Sequence, residues 1–186
     1  MITNQTPPPE VLGSPSCSVL FLDVDGVLNR CGKSNQGLMT DKCDLLAHIC
    51  RMTGCKVVVS STWRRYPHLM ESRLLPMFRA RGIECVGQTP MMEKPSLGGH
   101  VYVATARHEE ITAWLSDHPE VTQYAIVDDD RDADDGTGRY VRTDSYEGLL
   151  DSHATAIMRL LSPLNTQTIA SAGLPSVDGS ASSTGL

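Results

Sequence analysis

The stretch SVLFLDVDGVLNR, residues 18–30, decides how the rest of the chain is read. After its opening serine comes a short apolar run, the pattern of a strand covered on both faces. The strand then ends on two acids, Asp23 and Asp25, one residue apart, with Gly26 directly behind them. Side chains alternate along a strand, so both carboxylates face one side while Val24 packs the other way. Two acids aimed at one place repel unless a cation, a shared proton or open water relieves them. Gly26 permits the tight turn that such an arrangement needs.

Working outward, Lys56 to Val59 reads as a second buried strand and runs into Ser60-Ser61-Thr62-Trp63-Arg64. Tyr124 to Val127 reads as a third and runs into Asp128-Asp129-Asp130. Between and around them the pattern predicts helices over 41–52, 69–81 (kinked or divided at Pro76), 105–116 (with Thr105 as N-cap) and 147–161. Shorter strands are predicted over 83–86 and, at an edge, 140–142. This alternation predicts an α/β layer fold with a mainly parallel sheet. In such sheets ligands bind beyond the carboxyl ends of the strands, and there these three runs place acids, hydroxyls and an arginine. A hard cation with oxygen ligands suits the acids. Ser60, Ser61 and Arg64 suit the oxygens of a phosphate bound to that cation.

The 186 residues fit one domain. A net charge of −6 argues against a protein that coats nucleic acid or anionic membrane. No apolar stretch approaches the roughly 20 residues needed to span a bilayer. Residues 1–16 read as a flexible leader, 17–162 as the folded unit and 163–186 as a flexible tail rich in Ser, Gly, Thr and Ala. The leader lacks a basic segment and an apolar core of the secretory kind, so the six cysteines read as reduced thiols in a cytoplasmic protein. They include no C-x-x-C pair, which speaks against zinc.

FLDVDGVLN, VVVSSTWR and YAIVDDD, in that order, resemble the first, second and fourth motifs of the haloacid dehalogenase (HAD) superfamily of phosphohydrolases. SSTWR, the segment Arg107-His108-Glu109-Glu110-Ile111-Thr112-Ala113-Trp114-Leu115 and the triple aspartate are most similar to the small HAD domains associated with RNA-repair proteins. The resemblance implies a Rossmann-like three-layer sandwich and a phosphomonoesterase mechanism. Asp23 would be the nucleophile that forms an aspartyl-phosphate, and Asp25 the acid and then base. Mg2+ would lie between Asp23, the backbone carbonyl of Asp25 and Asp128 or Asp129. Ser60, or else Ser61, would hold a phosphoryl oxygen. The third motif is usually a lysine; here Arg107 is the positional candidate and Lys94 its rival.

The superfamily's phosphatases often carry Thr after DxDG, where this chain has Val27. That departure, with the missing lysine, motivates a second reading, a non-catalytic phosphate or nucleotide binder. A calcium loop over 130–141 fails because Asp135 and Val141 stand where glycine and glutamate are wanted. The intervals 30–40 and 60–107 leave no room for a large cap domain, so the expected substrate is a phosphorylated small molecule, a nucleotide, or a nucleic-acid end. Arg64 and Arg65 would hold further phosphates, and Trp63 and Tyr66 would stack on a base or pack in the core. No membrane contact and no obligate protein partner is expected.

Overall fold

The computed structural model describes residues 17–31, 37–96 and 102–162; the expected leader and tail lie outside the described residues. Five parallel strands form the central sheet in the order β3-β2-β1-β6-β7. These are β1 (Cys17–Leu22), β2 (Lys56–Val59), β3 (Cys85–Gln88), β6 (Val121–Asp128) and β7 (Tyr140–Arg142). The crossovers carry α1 (Thr40–Thr53), a compound helix made of α2 (Pro67–Leu69), a wide turn (Met70–Leu74) and α3 (Leu75–Ala80), and α4 (Arg107–Ser116). The chain closes on α5 (Asp151–Leu161), and β4 (Glu93–Pro95) with β5 (Tyr102–Ala104) forms a separate antiparallel hairpin.

Strand alternation sorts the core into two layers. Leu20, Leu22, Val57, Val59, Ala125 and Val127 pack with residues of α1, α3 and α5 on one face. Val19, Phe21, Val58 and Ile126 pack with Ile111 and Trp114 of α4 on the other. The result is the three-layer α/β sandwich expected from the sequence, without a large cap domain among the described residues.

Several boundaries differ from those the sequence predicts. Pro76 has no N–H to give the preceding turn, and the helix widens to a π-type turn just before it instead of breaking. Thr105 does not cap α4, since its hydroxyl donates to the Met92 carbonyl, and the helix starts two residues later, at Arg107. α5 begins at Asp151 rather than at Glu147, because Asp144 to Gly148 forms a closed turn first. The strand expected over 83–86 is displaced to Cys85–Gln88, with the Glu84 carbonyl accepting from Val57 at its start. The β4–β5 hairpin has no counterpart in the sequence reading.

Candidate active site

The same alternation aims the key side chains. Asp23 is two residues beyond Phe21 and Asp128 two beyond Ile126, so both continue the α4-facing rows of their strands. β1 and β6 are neighbours, which brings the two carboxylates together below the start of α4. Arg107, the first residue of that helix, meets them. Its Nη1 donates to Asp23 Oδ1 at 2.9 Å and to the Ser60 carbonyl at 2.6 Å, and its Nε lies 3.5 Å from Asp128 Oδ2. Arg107 therefore joins the ends of β1, β2 and β6 through one guanidinium.

The segment after β2 divides its residues among different tasks. The Ser61 hydroxyl hydrogen-bonds Asp23, and its Oγ also accepts from the Trp63 N–H, capping a 3-10 turn over Thr62–Arg65. Trp63 is buried, and its indole Nε1–H donates to Asp25 Oδ2 at 2.9 Å. Asn29 Nδ2 donates to the other oxygen, Oδ1, at 2.8 Å. Ser60 contributes its carbonyl to Arg107, while its own Oγ is buried with no hydrogen-bond partner. Of the two serines, Ser61 is the one whose hydroxyl reaches the nucleophile position.

Charge is crowded here. Burial drives the Asp23 carboxyl up to about 6, against the pull of Arg107, the Ser61 hydroxyl and the Val24 N–H. Burial, and next the charge of Asp23, drive Asp128 up to about 8, with Arg107 opposing. Asp128 Oδ2 is buried and accepts no hydrogen bond, and oxygens of Asp23, Asp128 and Asp129 lie within 4.8 Å of one another. Three clustered carboxylates, one with an orphaned buried oxygen, fit a hard divalent cation such as Mg2+. Gly26 makes room for this cluster: its φ is +79°, and a Cβ there would overlap the Asp129 carboxyl. The site opens into a pocket of about 450 Å³ lined by Asp23, Asp25, Thr62, Arg107, Asp129 and Arg142 among others.

A family model described as the HAD domain in Swiss Army Knife RNA repair proteins matches residues 19–154. The chain belongs to that family. No curated protein and no solved structure matches it. A HAD domain of RNA-repair type supports a phosphatase-type function of the hydrolase class, and members of the superfamily generally use Mg2+.

For this HAD domain the structure gathers Asp23, Asp25, Arg107, Asp128 and Asp129 around one pocket, with Ser61 buried beside Asp23. It does not bring Arg64 or Lys94 there. Arg64 is buried with its donors on the Ser61, Thr89 and Pro90 carbonyls, the Thr89 hydroxyl, and Glu110 Oε2 at 2.8 Å. Held by these contacts, it does not line the pocket, and its place is structural. Lys94 sits on the hairpin with its Nζ on Glu109 Oε1 at 2.6 Å, half exposed, while Arg107 holds the position beside Asp23. The Asp25 carboxylate is outside the acidic cluster, being held by Trp63 and Asn29. Trp63, read as core packing or a base-stacking residue, does pack in the core yet points its one polar atom into the site.

Sequence reading missed the support beneath the Asp23–Asn29 loop. Thr143 Oγ1 donates to the Gly26 carbonyl at 2.8 Å, and the Leu149 N–H donates to the Val27 carbonyl at 2.9 Å. It also missed Arg142, which lines the pocket with its Nε on the Asp129 carbonyl at 3.0 Å. Its position at the end of β7, at the same level as Asp128, was the available signal. Among the described residues no helix is long and apolar enough to cross a membrane.

Proposed function

We propose that this HAD domain is a Mg2+-dependent phosphomonoesterase that acts through an aspartyl-phosphate on Asp23, with a nucleotide or a phosphorylated nucleic-acid end as substrate. The observation that supports it best is Arg107 paired with Asp23 and near Asp128 at the base of an acid-lined pocket. A dianionic substrate enters such a site only if cations outweigh the carboxylates. Arg107 supplies one, its Nη1 held by Asp23 and the Ser60 carbonyl so that the guanidinium faces the place of the phosphoryl group. Mg2+ held by Asp23, Asp128 and Asp129, with the Asp25 carbonyl, would neutralise charge on that group and keep Asp23 ionised.

Asp23 then attacks phosphorus as the bond to the leaving oxygen breaks, and Asp25 gives that oxygen its proton. Ionised Asp25 next takes a proton from water, whose oxygen attacks phosphorus and frees Asp23. The Ser61 hydroxyl stands beside the nucleophile, where it can also meet a phosphoryl oxygen. Cytoplasmic residence and the absence of an obligate protein partner remain part of this reading.

Phosphate release from nucleoside 3′- and 5′-monophosphates and from 3′- and 5′-phosphorylated oligonucleotides, with Mg2+ or with EDTA, tests the proposal. Release that needs Mg2+ and is abolished in Asp23→Asn is expected. Binding of these compounds without release from any would establish the non-catalytic binder instead.

A further inference from the structure

We infer that Trp63 is a positioning residue for leaving-group protonation, its indole N–H fixing the Asp25 carboxyl at the angle from which a poor leaving group receives its proton. This rests on the phosphomonoesterase reading of the same site.

Asp25 is half-buried and faces the pocket, so nothing about its backbone alone selects one carboxyl orientation. Two side chains do. Trp63 Nε1–H holds Oδ2 and Asn29 Nδ2–H holds Oδ1, one donor on each oxygen. A carboxyl oxygen has two lone pairs, so each keeps one for the proton that Asp25 must carry. The Asn29 amide is oriented by this contact, since the reversed amide would face oxygen to oxygen. Its own Oδ1 is left buried with no partner. Both donors belong to buried residues, which leaves the carboxyl little freedom to swing.

The indole is itself fixed from two sides. The Ser61 Oγ caps the turn that carries Trp63, and Ser61 also touches Asp23, so the turn ties nucleophile and acid together. The next residue, Arg64, bolts that turn to Thr89, Pro90 and Glu110, and the second Glu110 oxygen accepts from the Met92 N–H at 3.0 Å. Trp63 thus transmits a rigid frame to Asp25. A phenylalanine would fill most of the same space and give up only the donor.

The distinguishing property is the leaving group. p-Nitrophenolate departs without a proton, whereas a ribose oxygen must be protonated as it leaves. In the first step, the transfer to Asp23 that kcat/KM reports, a donor that acts through Asp25 therefore matters for the second and little for the first, while a merely structural tryptophan would affect both alike. In Trp63→Phe the ratio of kcat/KM for p-nitrophenyl phosphate to kcat/KM for a nucleoside monophosphate should rise at least about tenfold over wild type, a fraction of the roughly 10²–10⁴-fold that general acid catalysis supplies. Asn29→Ala should move the same ratio in the same direction. An unchanged ratio in both variants overturns the inference while leaving the phosphatase reading intact. Wild-type protein that releases phosphate from neither substrate nor from a 3′- or 5′-phosphorylated oligonucleotide overturns both.

A second measurement does not depend on turnover or on how well Trp63→Phe folds. The chain has two tryptophans, so the 15N–1H spectrum shows two indole signals, Trp63 and Trp114. In Asp25→Ala the Trp63 signal should move upfield as its carboxylate acceptor is lost, with Trp114 in place as internal reference. No movement of the Trp63 signal overturns the inference.

Discussion

The metal-free protein should lose stability as pH rises from about 5 to about 8, and Mg2+ should remove that loss. Asp23 goes from an ordinary 3.8 to about 6 and Asp128 to about 8, both raised first by burial. Below the ordinary value both states of the chain hold these protons, so nothing is lost. Above it the unfolded chain releases them while the folded chain keeps them, and stability falls until the folded values are passed. Asp23 alone, shifted by about two units at about 1.4 kcal/mol each, accounts for about 3 kcal/mol in total, roughly half of it lost above pH 5. Asp128 adds to this, though not in full, because part of its shift is the charge of Asp23. The depressed carboxyls Asp135 and Asp144 have finished titrating below this window. His153, lowered by burial and by Lys42, gives up its proton in the fold before it does in the unfolded chain and so opposes the trend below about pH 6.5. Urea unfolding at several pH values in EDTA, for wild type and Asp128→Asn, separates these contributions. The wild-type midpoint should fall with pH and the variant should be flatter. Mg2+ should raise the wild-type midpoint more at pH 8 than at pH 5, because it needs the ionised carboxylates. A metal-free midpoint that climbs across this window equally in both proteins would refute the reasoning.

Arg107→Ala should lower kcat by about a hundredfold or more and Arg107→Lys by less, whereas Lys94→Ala should leave phosphate release near wild type; steady-state assays compare the three. Gly26→Ala forces a side chain onto a positive φ and into Asp129, so it should cost about 1–3 kcal/mol in urea unfolding. It should also weaken Mg2+ binding, measured by titration calorimetry. Arg64→Met leaves Glu110 buried without its cation, and a loss of about 3–5 kcal/mol in the same unfolding assay is expected.

Strand identity and the acidic site were legible because they depend on short-range signals. Leu20 and Phe21 alternate between layers as any buried strand does, and that parity carries on into Asp23. Asp128 follows from the same rule on β6. What stayed hidden depends on which partner a long side chain finds. Arg64 and Arg107 are equally basic in sequence, yet Arg64 is buried against Glu110, 46 positions away, and Arg107 reaches Asp23, 84 positions away. Local pattern carries no information about such pairings. The Ser61 hydroxyl, rather than that of Ser60, stands beside Asp23 because β2 ends at Val59, and the turn that follows is set by the Ser61 cap, not by strand alternation. The helix start at Arg107 was obscured by Thr105, a good N-cap type whose hydroxyl instead serves Met92.

The support under the nucleophile loop comes from far along the chain, since Thr143 and Gly26 are 117 positions apart. Protein synthesis delivers the two partners in that order, so a growing chain exposes Asp23 and Asp25 long before the threonine that braces their turn exists. The Cys31 N–H, which donates to the Ser145 carbonyl, and the Val27 carbonyl, which accepts from Leu149, wait for the same late segment. Gly148 is shaped for that arrival, for a Cβ there would stand 2.7 Å from the Val27 carbonyl oxygen. A nascent or prematurely released chain ending before this segment holds every acid of the site and lacks the brace. The geometry of the site is thus completed last, once the 143–149 segment has followed the rest of the fold.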